Sequence, residues 1–74
     1  MTSVKVKSEI AGKVWKIENP AGSQVEEDDP ILILESMKME IPVNAPFDCR
    51  IVELLVEEED SISEGQVIAI VEKR

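Results

Sequence analysis

The stretch "LESMKMEIP", residues 34–42, decides how this chain folds. Before it runs "PILILE" (30–35) and after it "EIPV" (40–43), both rich in side chains that favour pleated sheet. Between them lies Met37-Lys38-Met39, without the Gly, Asn, Asp or Pro that make a tight reversal inexpensive. Two readings compete. In one, a single strand runs straight through, burying Met37 and Met39 and pointing Lys38 to water. In the other, the chain doubles back at the lysine. The spacing within the stretch fits both, and the rest of the chain separates them.

The chain repeats itself at an offset of 37, half of its 74 residues. Val4 falls on Ile41, Val6 on Val43, Val14 on Ile51, Ile17 on Leu54, Val25 on Ile62, Ile31 on Ile68 and Ile33 on Ile70. Polar positions agree as well: Glu27 with Glu64, Glu35 with Glu72, and Lys13 with Arg50. No gap is needed, so the chain reads as two copies of one β-motif related by a pseudo-twofold axis. Both copies break their alternation at the same point, between Val14 and Ile17 and between Ile51 and Leu54, which predicts a bulge or sharp twist in each. Lys38 is the mate of position 1 and of the position just past residue 74. A segment equivalent to a chain break is not a straight strand. The repeat therefore predicts a hairpin tip at Lys38, at the end farthest from both termini.

Strand signals surround this centre. "SVKVKSE" alternates apolar and polar residues, "GKVWKIE" and "CRIVELLVE" are β-rich, and "PILILE" and "QVIAIVE" are short buried runs. No segment sustains a helical stripe, so no α-helix is expected. Nine Val and nine Ile stand against four Leu and four Ala, and Trp15 and Phe47 are the only aromatics, so the core is aliphatic.

At 74 residues the chain is read as one domain, 1–74. One cysteine rules out an internal disulfide, and the absence of histidine rules out His-based triads and zinc sites with His ligands. A formal charge of −8 disfavours nucleic acid and anionic membrane surfaces as partners. The longest apolar run, Val67–Val71, is too short to span a bilayer, and "MTSVKVKSEI" lacks the apolar stretch of a signal peptide. The free thiol suits a cytoplasmic location. "EEED" (57–60) reads as a solvated loop, because successive carboxylates on a strand point to alternate faces; no metal site is assigned. Trp15 reads as a core or half-buried strand residue, and Cys49 as structural, with Arg50 lowering and Asp48 raising its pKa.

A hairpin tip leaves Met37 and Met39 exposed, where soft side chains serve recognition, and it opens Lys38 to a second enzyme. With no Gly or Asn in the turn, at least one central residue is expected at φ > 0.

"ESMKME" resembles the attachment sequence of biotinyl domains, the carriers of biotin-dependent carboxylases. "EIAGKVWKI", "AGSQVEEDDPILILESMKMEIPVNAP" and "DSISEGQVIAIVE" are similar to the rest of that family, so the resemblance covers nearly the whole chain, with free-standing biotin/lipoyl attachment proteins the nearest in form. The resemblance implies an all-β, flattened eight-stranded sandwich (a barrel-sandwich hybrid) of two pseudo-twofold halves, without the "thumb" that some bacterial carriers insert. It implies biotin joined by biotin protein ligase to Lys38, with Met37 and Met39 as ligase and carboxylase recognition residues and Glu35, Ser36 and Glu40 flanking the tip. It also implies a non-catalytic carrier that moves a carboxyl group between a biotin carboxylase and a carboxyltransferase. Two other readings stand beside it. Lipoyl carriers of 2-oxoacid dehydrogenase systems share the fold but typically show Asp-Lys-Ala at the tip. Unmodified hairpin-sandwich interaction modules have no use for Met-Lys-Met. The chain departs from the family in carrying Asp28 and Cys49 where Gly is frequent and Ser23 where Asp is usual. Asp28 tolerates a left-handed backbone and Cys49 does so poorly, so the backbone at Cys49 is expected either not to be left-handed or to store strain.

Overall fold

The β-branched runs pair as their alternation dictates. The computed structural model describes residues 3–74. Its eight strands are β1 (Ser3–Lys7), β2 (Gly12–Ile17), β3 (Gln24–Val25), β4 (Pro30–Ser36), β5 (Met39–Asn44), β6 (Cys49–Leu54), β7 (Ser61–Ile62) and β8 (Val67–Lys73), with no helix among the described residues. They form two four-stranded sheets, ordered β1-β8-β6-β3 and β5-β4-β2-β7, in which every neighbouring pair is antiparallel.

The internal repeat is a structural symmetry. Adding 37 converts β1 to β4 into β5 to β8 and one sheet order into the other. Registers follow residue by residue. Val4 opposite Val71 becomes Ile41 opposite Leu34, and Lys13 opposite Glu35 becomes Arg50 opposite Glu72. Four bulges form two symmetric pairs: one, at Ile31 on β4 and Ile68 on β8, has no counterpart in the broken alternation, and the other falls where the alternation breaks, between Val14 and Lys16 and between Ile51 and Glu53. Each bulge of the second pair inserts one extra residue, Trp15 or Val52, on the outside of its sheet. Trp15 is therefore not in the core: 48% of its surface is exposed.

The core is aliphatic, as composition demands. Val14, Ile31, Leu32 and Leu34 from one sheet meet Ile51, Ile68, Ala69 and Val71 from the other, all fully buried. Ser8 is the buried polar residue, and its hydroxyl donates to the Ile10 carbonyl at 2.6 Å. Such pairing removes the penalty of burying a hydroxyl.

The departures from the family pattern have physical explanations. Asp28 and its mate Gly65 are both left-handed, at φ 73° and 83°. In each of these turns a side-chain oxygen caps a backbone donor: Asp29 accepts from the Glu26 N–H, and Gln66 from the Ser63 N–H. Asp60 accepts the Glu57 N–H in the same way. Its mate Ser23 has no such duty, because the equivalent position is Pro20, which has no N–H to satisfy. Cys49 is not left-handed, so no strain is stored there, and neither is its mate Gly12.

The body measures 36 × 17 × 17 Å. Ser3 pairs with Glu72, so the chain enters and leaves at one pole. From Ser3 the chain runs to Gly12, nine residues or about 30 Å when extended, and there it touches Glu35, next to the Met-Lys-Met hairpin. The hairpin thus caps the opposite pole, as the repeat predicts. At the terminal pole Arg74 closes the structure, donating from Nη2 to the Val25 carbonyl at 2.9 Å and from Nη1 to Gln24 Oε1 at 3.2 Å.

Candidate functional site: the lysine hairpin

Strands β4 and β5 join through two residues only. Ser36 pairs with Met39, leaving Met37 and Lys38 as the central pair of the turn. Both are left-handed, at φ 51° and 64°. That is the primed hairpin geometry, which matches sheet twist but normally selects Asn-Gly. The sequence required at least one strained residue, and the structure has two, each costing on the order of 1–3 kcal/mol. The side chains recover little of this by packing, because Met37 is 92% exposed, Met39 is 60% exposed, and Lys38 is exposed too. Met37 is the mate of Arg74. One pole uses that position to tie itself shut, and the other offers it to solvent.

One rung below the turn, Glu40 stands opposite Glu35, and Glu35 stands opposite Lys13 on β2. Two carboxylates face each other across β4 and β5, with the cation opposite Glu35 drawn away: Lys13 Nζ lies 2.6 Å from Glu59. That hydrogen bond and charge hold the Lys13 pKa above the ordinary lysine value, with a smaller contribution from Glu35. Glu35, Ser36, Met37, Lys38, Met39 and Glu40 thus form one continuous hairpin end.

Gly12 also belongs to the site, and sequence reading missed its reason. A Cβ there would lie 2.8 Å from the Glu35 carbonyl oxygen. Glycine lets β2 close against the base of the lysine hairpin and brace it. The signal was the pairing of Gly12 with Cys49, which suggested turn geometry when the cause is close approach. Cys49 itself lies in the core near the other pole. Burial pushes its thiol up, Arg74 draws it down and Asp48 raises it; Arg74, not the adjacent Arg50, is the guanidinium that acts.

The strain makes a direct prediction. Met37→Asn suits the left-handed position and loses little packing. It is expected to stabilise the fold by about 1 kcal/mol, a rise in Tm of roughly 4–8 °C for a domain of this size. Thermal unfolding followed by circular dichroism checks this, and a fall in Tm contradicts the strain assignment.

A flattened β-sandwich that lifts one lysine on a two-residue hairpin, opposite its chain ends, has the architecture of the biotinyl and lipoyl carrier class. A family model described as biotin-requiring enzyme matches residues 4–71, and the chain belongs to that biotin/lipoyl family. It is 41% identical over 63 residues to the biotin/lipoyl attachment protein of Bacillus subtilis (strain 168), covering 85% of this chain and 86% of that protein. It is 35% identical over 66 residues to pyruvate carboxylase of Staphylococcus aureus, covering 89% of this chain but 6% of that enzyme. Among solved structures, the urea carboxylase of Kluyveromyces lactis matches 97% of this chain with a TM-score of 0.91 and 28% identity, over 6% of its own length. No described helix is long and apolar enough to cross a membrane.

Proposed function

We propose that residues 1–74 act as a single biotin carrier domain, acylated on Lys38 by a biotin protein ligase and serving a biotin carboxylase and a carboxyltransferase in turn. The observation that carries this reading is the Met37-Lys38 pair, both left-handed on an exposed hairpin at the pole away from the chain ends. The family and the carboxylase relatives support it, as does Ser36-Met37-Lys38-Met39 in place of the lipoyl-type Asp-Lys-Ala.

The chain's residues do the positioning. Ser36 and Met39 close the turn, and Gly12 braces its base. Met37 and Met39 present polarisable apolar surface on either side of the amine. Lys38, after losing its proton, supplies the nitrogen that attacks the carboxyl carbon of biotin activated by the ligase with ATP; the activating phosphate group leaves as the amide forms, replacing a cation by a neutral link and taking the formal charge from −8 to −9. Biotin, once attached, supplies a ring nitrogen able to carry a carboxyl group. The rigid body then holds this group on a short leash near its targets, at an effective concentration of about millimolar.

Intact mass after coexpression with a biotin protein ligase, and separately with a lipoate ligase, tests the reading. The expected result is one biotin-sized increment, located on Lys38 by peptide mapping. A lipoyl-sized increment alone, or none with either ligase, overturns it.

A further inference from the structure

The pseudo-twofold symmetry is broken most visibly at one pair of residues. The bulge on β2 presents Trp15, and the equivalent bulge on β6 presents Val52. Trp15 is the single tryptophan of the chain and is 48% exposed on the sheet that carries Lys38. Next to it on the outer face are Ile33, half-buried, and Pro42, exposed, which pair with each other and, through Ile33, with Lys16. On the other sheet the mate of Pro42 is Lys5. Val52 and Leu55 are exposed there too, but on the sheet that holds the chain ends. The patch of Trp15, Ile33 and Pro42 thus lies on the lysine's own sheet.

We infer that the outer face around Trp15, Ile33 and Pro42 is the docking surface for biotin protein ligase. The inference rests on the reading of Lys38 as the acylated residue. Reach selects the ligase over the carboxylase enzymes. Bare Lys38 extends about 6 Å from the backbone, so the enzyme that acylates it must bring its own surface against the hairpin and the sheet behind it. Attached biotin more than doubles that reach, and later enzymes can work from a distance. Strand spacings put Trp15 on the order of 10 Å from Ser36. A standard interface buries about 800 Å² a side, a patch some 30 Å across, and one centred on the hairpin covers Trp15. Half-exposed tryptophan is also the side chain most often found to dominate such contacts.

The test is the steady-state rate of biotin transfer by biotin protein ligase, with carrier concentration varied and biotin and ATP saturating. Trp15→Ala is expected to raise KM for the carrier about tenfold with kcat little changed, whereas Val52→Ala matches the wild-type chain and Trp15→Phe recovers most of the loss. A second measurement needs no substitution at the patch. The single indole N–H resonance of ¹⁵N-labelled Lys38→Arg chain should shift or broaden when unlabelled ligase is added. Unchanged kinetics for Trp15→Ala, equal damage from Val52→Ala, or an unmoved indole signal overturns the docking surface while Lys38 is still labelled. Failure of the wild-type chain to take biotin on Lys38 overturns the underlying reading, and the docking surface with it.

Discussion

Lys38→Arg is expected to take up no biotin at any ligase concentration, as read by avidin blot and intact mass, with Tm within a few degrees of the wild-type chain. A guanidinium stays protonated and is a poor nucleophile, so the charge is kept and the chemistry is lost. The effect is total because the remaining lysines are placed for other work. Lys13 is bound to Glu59, and Lys73 lies over the Phe47 ring, 5.5 Å from its centroid. Lys5 and Lys7 lie on edge strand β1, where charge discourages pairing with other chains. Lys16 stands on the outer face of the sheet, opposite Ile33. None of these sits on a two-residue turn that an active site can enclose. Biotin found on any of them in the Lys38→Arg variant would place the attachment site elsewhere.

Leu34→Ala carries the largest expected cost in stability. Leu34 is fully buried, two residues before the Ser36–Met39 pair. Truncating a buried leucine to alanine costs about 2–5 kcal/mol. The whole domain has roughly 4–11 kcal/mol to lose, on a per-residue scale. The variant is therefore expected to melt about 8–40 °C lower. Its mate Val71→Ala removes less volume and is expected to lose less. Labelling separates this defect from that of Lys38→Arg: Leu34→Ala should regain biotin when assayed well below its own Tm, and Lys38→Arg should not at any temperature. Denaturant and thermal melts measure the stability, and a loss under about 1 kcal/mol would show that the core near the hairpin relaxes around the void.

Most of this architecture was legible because symmetry doubled each signal. A lone apolar alternation is ambiguous, but Val4, Val14 and Ile33 each had a partner 37 residues on, and both the pairings and the bulges at the broken alternation followed. The hairpin was legible for the same reason, since Lys38 matched the chain ends. What the sequence concealed depends on contacts between distant backbones. Gly12 is glycine because of a carbonyl far along the chain, at Glu35. Of the core and half-buried readings of Trp15, sequence could not choose; the bulge turns it outward and leaves it half-buried. Glu59 adopts φ 79°, unannounced within "EEED" itself, although its mate Gly22, left-handed at φ 95°, carried the signal. Arg74, not Arg50, bears on Cys49 because folding brings the last residue back to Asp48 and Val25.

Because Ser3 lies directly across from Glu72, anything joined to either end of the chain is attached at one place, by two adjoining threads. Such a unit can be spliced into a surface loop of a much bigger enzyme without prying that loop apart. Cargo, tags or further domains grafted at either extremity should leave the Lys38 amine, at the opposite pole, as accessible as before.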